Sequence, residues 1–237
     1  LKFMSDNRVD TTHVKKVSGS TIGLYLISLV NGERTFSYWR NNSAATLLGQ
    51  NINDVEHAVK KQDMIYFSGI TLAILDPSSR NNLFSCLKSA RRAGKKIAFD
   101  PNLRPKLWSD KKEMCDVIMA GANLSDIILP SFEDEATWFS DANPKATLKR
   151  YQKVGAEIVV VKNAGEPVSF ISNQGIGTHP VQSIETVIDS TAAGDSFNSE
   201  ILVGILRNIP LSEAISNGAN LAKKVIMGHG ALIKSDI

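Results

Sequence analysis

The chain has 237 residues, of which 43% are hydrophobic and 22% charged, and a formal net charge of +3. That length is enough for one sizeable α/β domain with a substantial core, and the interspersed, nearly balanced charge argues against nucleic acid as a partner. No apolar run approaches the roughly 18 residues of a membrane-spanning helix, and Leu1-Lys-Phe-Met lacks the charged lead and long apolar core of a signal peptide.

In chain order, residues 21–30 are rich in β-formers, Asn31-Gly32 is a two-residue hairpin signal, and residues 34–40 return. An antiparallel hairpin is therefore expected at about residues 20–40. Residues 64–69 read as a buried strand and residues 78–93 as an amphipathic helix. That helix ends at Gly94, a residue suited to a left-handed C-terminal cap. Residues 96–100 read as the next strand, and strand, helix and strand in succession predict a βαβ unit in a parallel sheet. Further strands are expected at 125–130 and 157–162. A returning strand at 168–172 follows the turn around Gly165, and helices are expected at 146–154 and 211–227.

Cys86 and Cys115 match no metal-binding spacing and read as reduced thiols of a cytoplasmic protein. The four histidines, His13, His57, His179 and His229, are scattered without ligand spacing. Neither a Walker A lysine motif nor Gly-x-Gly-x-x-Gly is present. Asp100, Asn102 and Arg104 stand just beyond the strand at 96–100, where open α/β sheets bind their ligands.

The chain is organised around residues 187–198, Val-Ile-Asp-Ser-Thr-Ala-Ala-Gly-Asp-Ser-Phe-Asn. An apolar strand end leads into five small residues, then Asp195, then helical spacing at Phe197, Ile201, Leu202, Ile205 and Leu206. A strand, a small-residue turn and a helix start let an anion approach backbone N–H groups and the positive end of the helix dipole. A carboxylate beside such a site repels the ligand, and accepting the proton of an attacking hydroxyl would account for it. An acid in a first helical turn also suits the dipole without any ligand.

Asp189-Ser-Thr-Ala-Ala-Gly-Asp195 resembles the C-terminal signature of the ribokinase-like (PfkB) sugar kinases. The paired alanines followed by Ser-Phe-Asn are similar to the members that act on 2-keto-3-deoxygluconate, as are Tyr38-Trp-Arg40 and the stretch from Phe99 to Trp108. The resemblance implies a three-layer α/β/α fold over residues 1–237, with a mostly parallel sheet and the hairpin as a small β lid. The family carries a βαβ portion ahead of the segment that resembles residues 9–14, so roughly 60 further residues are expected before Leu1. The implied activity is ATP-dependent phosphorylation of 2-keto-3-deoxygluconate at its 6-hydroxyl. Asp195 would be the base and Ala192, Ala193 and Gly194 the anion hole.

The same resemblance directs Tyr25, Tyr38, Arg40, Asn102, Arg104 and Asp195 toward the substrate. It directs Lys162, Gly165, Thr191, Ala192, Gly194, Gly230 and Ala231 toward ATP. Glu135 is the candidate for organising Mg²⁺ through water, although no Asn stands three residues before it and three acids in one first turn suit the helix dipole alone. A monovalent cation is a further candidate ion, and lid strands in this family pair copies of the chain, implying a homo-oligomer. Glu200 departs from the pattern, standing where relatives have a small residue. Two other readings compete: a kinase of the same fold for a neutral sugar (fructokinase-like) or a nucleoside, and, outside catalysis, a fragment or binding protein. Arg40 and Arg104 favour an acidic substrate.

Overall fold

The computed structural model describes residues 1–30, 33–182 and 187–232. They fall into two compact units, Leu1–Ile65 with Thr71–Lys95, and Tyr66–Ile70 with Lys96–Ile237.

The first unit holds α1 (Lys2–Asp6), the hairpin β1 (Leu24–Val30) and β2 (Glu33–Trp39), α2 (Ile52–Val59) and α4 (Pro77–Arg92). The expected hairpin is antiparallel, with Tyr25 opposite Tyr38 and Leu24 opposite Trp39; its Asn31-Gly32 turn lies outside the described residues. α4 begins where the Asp76 carboxylate accepts the N–H groups of Ser78 and Ser79 at 2.9 and 3.0 Å, with Pro77 at the first helical position. It is followed by Gly94 at φ +82, a left-handed position at no cost to glycine. α2 packs on α4, burying Val55, Leu83, Cys86, Leu87 and Ala90.

β3 (Met64–Ser68) runs from the first unit into the second, and α3 (Gly69–Ile74) from the second back into the first. β3 opens a six-stranded sheet in the order β3-β4-β5-β6-β7-β8, with β4 (Lys96–Asp100), β5 (Ile127–Ile128), β6 (Ile158–Val161), β7 (Val168–Ser172) and β8 (Gly175–His179). β4, β5 and β6 are parallel, and β6-β7-β8 form an antiparallel edge. The remaining helices are α5 (Lys111–Asn123), α6 (Phe132–Phe139), α7 (Pro144–Lys153), α8 (Ala193–Leu206) and α9 (Leu211–Ile226). Asp110 caps α5 and Asn143 caps α7 through N–H bonds from Glu113 and Ala146.

Three elements differ from their expectation. The strand expected at 125–130 is regular only at Ile127 and Ile128, because Pro130 has no N–H to continue it, though the N–H groups of Asp126 and Leu129 still reach β4 carbonyls. β3 is not wholly buried: Tyr66 is 43% exposed and only Phe67 lies in the core. β8, with glycine at two of five positions, has little strand propensity. Its register explains it. Gly177 faces Phe170, whose ring lies 2.5 Å from where a Cβ would stand.

Candidate active site

The expected alternation of strands and helices brings four polar side chains of the second unit together beneath the start of α8. Asp100 is the last residue of β4, Lys162 follows β6 directly, Tyr66 lies in β3, and Asn198 is in the second turn of α8. The Asn198 amide nitrogen donates to Asp100 at 2.8 Å and stands 3.4 Å from the Tyr66 hydroxyl. Its amide oxygen accepts from the Lys162 ammonium at 2.9 Å. Lys162 also donates to the Leu129 carbonyl at 2.7 Å and lies 3.6 Å from the Asp100 carboxylate. Asn198 is 1% and Asp100 4% exposed. Burial pushes the Tyr66 phenol well above its ordinary range, with the charges of Asp100 and then Asp195 adding to it and the Asn198 hydrogen bond opposing.

Above this cluster the turn into α8 is held from its own side. The Asp189 carboxylate accepts the N–H groups of Thr191 at 2.8 Å and Gly230 at 3.0 Å. The Ile226 carbonyl, at the end of α9, takes the N–H groups of Ile188 and Asp189. Ala192 then turns left-handed, at φ 63 and ψ 10, before the first helical residue. No side chain caps α8, as none caps α6 or α9, whereas α4, α5 and α7 are capped. A Cβ placed on Gly194 would meet only the Lys162 ammonium, 4.0 Å away. The Thr191 hydroxyl is buried without a hydrogen-bond partner. Asp195 sits in the first turn with its side chain exposed. An uncapped helix start, a glycine open to approach and an orphaned hydroxyl fit an anionic ligand such as a nucleotide phosphate.

Asn102 and Arg104 leave the end of β4 at φ 28 and φ 45, and Arg104 is exposed. The Asp134 carboxyl, at the start of α6, is pushed up by burial while the Arg104 guanidinium and the Leu103 N–H pull it down. The loop rests on Gly69, where a Cβ would stand 1.8 Å from the Pro101 carbonyl oxygen and 2.7 Å from Ile118, so no other residue fits without moving the loop.

The sequence-predicted residues thus divide. Thr191, Ala192, Gly194, Asp195, Gly230 and Ala231 gather at the two turns that Asp189 ties together, with Ala193 as the first residue of α8. Gly165 is exposed in the turn between β6 and β7, with open space around it. Lys162 is at the same place, but its ammonium points down into the cluster. Tyr25, Tyr38 and Arg40 form their own group in the first unit: the tyrosine rings are 6.4 Å apart and the Arg40 guanidinium lies 4.0 Å over the Tyr38 ring. Glu135 is turned inward and fully buried, accepting from Arg150 at 2.5 Å and from the Tyr151 hydroxyl at 3.0 Å. Burial pushes its carboxyl up to about 7 against the pull of Arg150. Among the described residues no group of three His, Cys, Asp or Glu side chains is placed to hold a metal ion.

Sequence reasoning did not single out Tyr66, Gly69 or Asn198 as parts of the site. Asn198 carried a signal, a polar residue between Phe197 and Ile201 one turn beyond Asp195. Gly69, between a strand and a helix, carried a weaker one.

The family model described as pfkB family carbohydrate kinase matches residues 1–237. The 2-dehydro-3-deoxygluconokinase of Haemophilus influenzae is 37% identical over 98% of this chain and 76% of that relative. Its counterpart from Escherichia coli (strain K12) is 35% identical over 95% of this chain and 75% of that relative. Among solved structures, aminoimidazole riboside kinase from Salmonella enterica, complexed with aminoimidazole riboside and an ATP analog, matches with a TM-score of 0.80 at 24% identity, covering 97% of this chain and 75% of that one.

Proposed function

The chain belongs to the pfkB family of carbohydrate kinases, and from that premise we propose that it phosphorylates 2-dehydro-3-deoxygluconate (2-keto-3-deoxygluconate) at the 6-hydroxyl, in the cytoplasm, with ATP as donor. The observation that carries the reading is Asp195, an exposed carboxylate in the first turn of a helix that no side chain caps.

ATP supplies the γ-phosphoryl group. The backbone of Ala192, Ala193 and Gly194 receives its charge through N–H groups and the helix dipole, which cost no reorganisation because the turn is already held by Asp189. Thr191, Gly165, Gly230 and Ala231 line the nucleotide side. Asp195 accepts the proton of the acceptor hydroxyl as the new oxygen–phosphorus bond forms and the bond to ADP breaks. In the second unit Asn102 and Arg104 hold the sugar acid from the end of β4; in the first unit Tyr25, Tyr38 and Arg40 are a separate group with the chemistry to bind such an acid. A guanidinium matches a carboxylate by two parallel hydrogen bonds, a geometry suited to a sugar acid and idle on a neutral sugar. Leu24, Leu26 and Trp39, each more than half exposed on the hairpin, support pairing of two copies through these strands.

The test is ADP release across a panel of sugar acids, neutral hexoses and nucleosides. The expected result is the highest kcat/KM on 2-keto-3-deoxygluconate. A preference for fructose or a nucleoside would replace the substrate assignment, and absence of turnover on the whole panel would remove the kinase reading.

A further inference from the structure

Asn198 is buried and Lys162 half-buried in the site, and the transfer reaction gives neither a direct task. An ammonium has three protons. Two of those of Lys162 go to the Leu129 carbonyl and the Asn198 amide oxygen, and the Asp100 carboxylate 3.6 Å away helps hold the ammonium in the cluster. Its charge is offset by Asp100 at 3.6 Å, so its main effect on the turn above is geometric.

We propose that Lys162 and Asn198 are positioning residues: they lock the first two turns of α8 to the ends of β4 and β6, and so set where Asp195 and the Gly194 backbone stand. The proposal rests on the kinase reading of this site. Residues three apart on a helix share a face, so the direction of Asn198 governs that of Asp195. A carboxamide suits the position because it offers an acceptor to the ammonium and a donor to the carboxylate at once. Leucine offers neither, and aspartate offers no donor to Asp100. Rotating or sliding α8 would break both bonds inside a buried cluster, where unpaired polar groups are costly. The Lys162 ammonium lies 4.0 Å from the position of a Gly194 Cβ, so it also limits how far the turn can sink.

The test uses the full chain with Asn198→Leu, Asn198→Asp, Lys162→Met and the double variant Asn198→Leu/Lys162→Met. The measurements are kcat, KM for both substrates, the Kd of a non-hydrolysable ATP analogue by calorimetry, and the urea midpoint. Misplacing reacting groups by an ångström costs on the order of 10²-fold in rate. We expect kcat to fall by about 10–10²-fold in each single variant, with the analogue Kd changed by less than about fivefold. The double variant should be little worse than the worse single one, because one network is broken once.

An analogue Kd raised more than about tenfold by Lys162→Met alone would make Lys162 a nucleotide contact and overturn the proposal. So would additive losses, or a loss of stability with kcat intact. Asn198→Asp keeps the volume and the acceptor for Lys162, so it decides the matter if Asn198→Leu does not fold. If the unaltered protein turns over no substrate, the kinase reading fails by itself. The non-additivity of the urea midpoints still decides whether the residues act as one unit.

Discussion

Two buried clusters of charge in the second unit use similar side chains and end differently. Around Glu135, the Arg150 guanidinium bridges to Asp141 at 2.6 Å and to Glu135 at 2.5 Å, Tyr151 donates to Glu135, and Thr147 donates to Asp141 at 2.8 Å. The Phe139 ring covers the guanidinium at 3.9 Å. The cluster is closed, and Asn143 caps the adjoining α7. Around Asp100 a similar chain of polar groups, through Asn198, leads one helical turn up to an exposed carboxylate, past a left-handed Ala192, an uncapped helix start and an unpartnered Thr191 hydroxyl. Buried charge and a shifted pKa are common to both and mark neither as a site. What separates them is that the second leads to an exposed carboxylate, Asp195, beside the open Gly194 turn at the carboxyl end of the parallel strands, where a ligand can use them.

The largest test of this contrast is Asp195→Asn. Loss of the base should lower kcat by roughly 10²–10⁴-fold while binding of an ATP analogue persists; near-normal kcat would remove Asp195 from the reaction and make both clusters structural. Arg150→Ala should do the reverse. Above pH 7, leaving a buried carboxylate unpaired or forcing it to take up a proton lowers stability by up to about 3–5 kcal/mol, read from urea midpoints, while kcat per folded molecule stays near the unaltered value.

The closed cluster should also carry a pH signature. Glu135 holds its proton in the folded protein up to about pH 7, whereas the unfolded chain releases it near 4.5. The folded state therefore binds more protons in that window, and stability falls as pH rises from about 4.5 to 7. Glu135→Gln should flatten the profile of urea midpoint against pH; an unchanged profile would assign the slope to other groups.

The smallest effect concerns two exposed or half-exposed guanidinium groups, one in each unit. Arg104→Ala and Arg40→Ala should each lower kcat/KM for the keto acid at least about tenfold, the loss of one charge-assisted bond worth about 1.5–3 kcal/mol, with much less effect on a neutral analogue. Equal losses on both substrates would end the carboxylate clamp and favour a neutral sugar.

Much of this protein was legible in its sequence because the deciding interactions are local. The Asp189–Asp195 turn is written in consecutive small residues, and its main ties to itself span two or three positions. The hairpin follows from β-rich runs on either side of Asn31-Gly32, and α4 from its amphipathic spacing closed by Gly94. Only the tertiary structure decided the rest. Periodicity shows which residues turn inward but not what they meet: Asn198 finds Lys162 across 36 positions, Asp100 across 98 and Tyr66 across 132. Glu135 looked like an acid offered to a metal until Arg150 and Tyr151, 15 and 16 residues on, drew it into the core. Gly69 is required only because the Pro101 carbonyl comes to rest against it. In each case an unpaired buried charge or an atomic overlap would cost more than local preference can offset, so the partner supplied by the fold determined what the residue does.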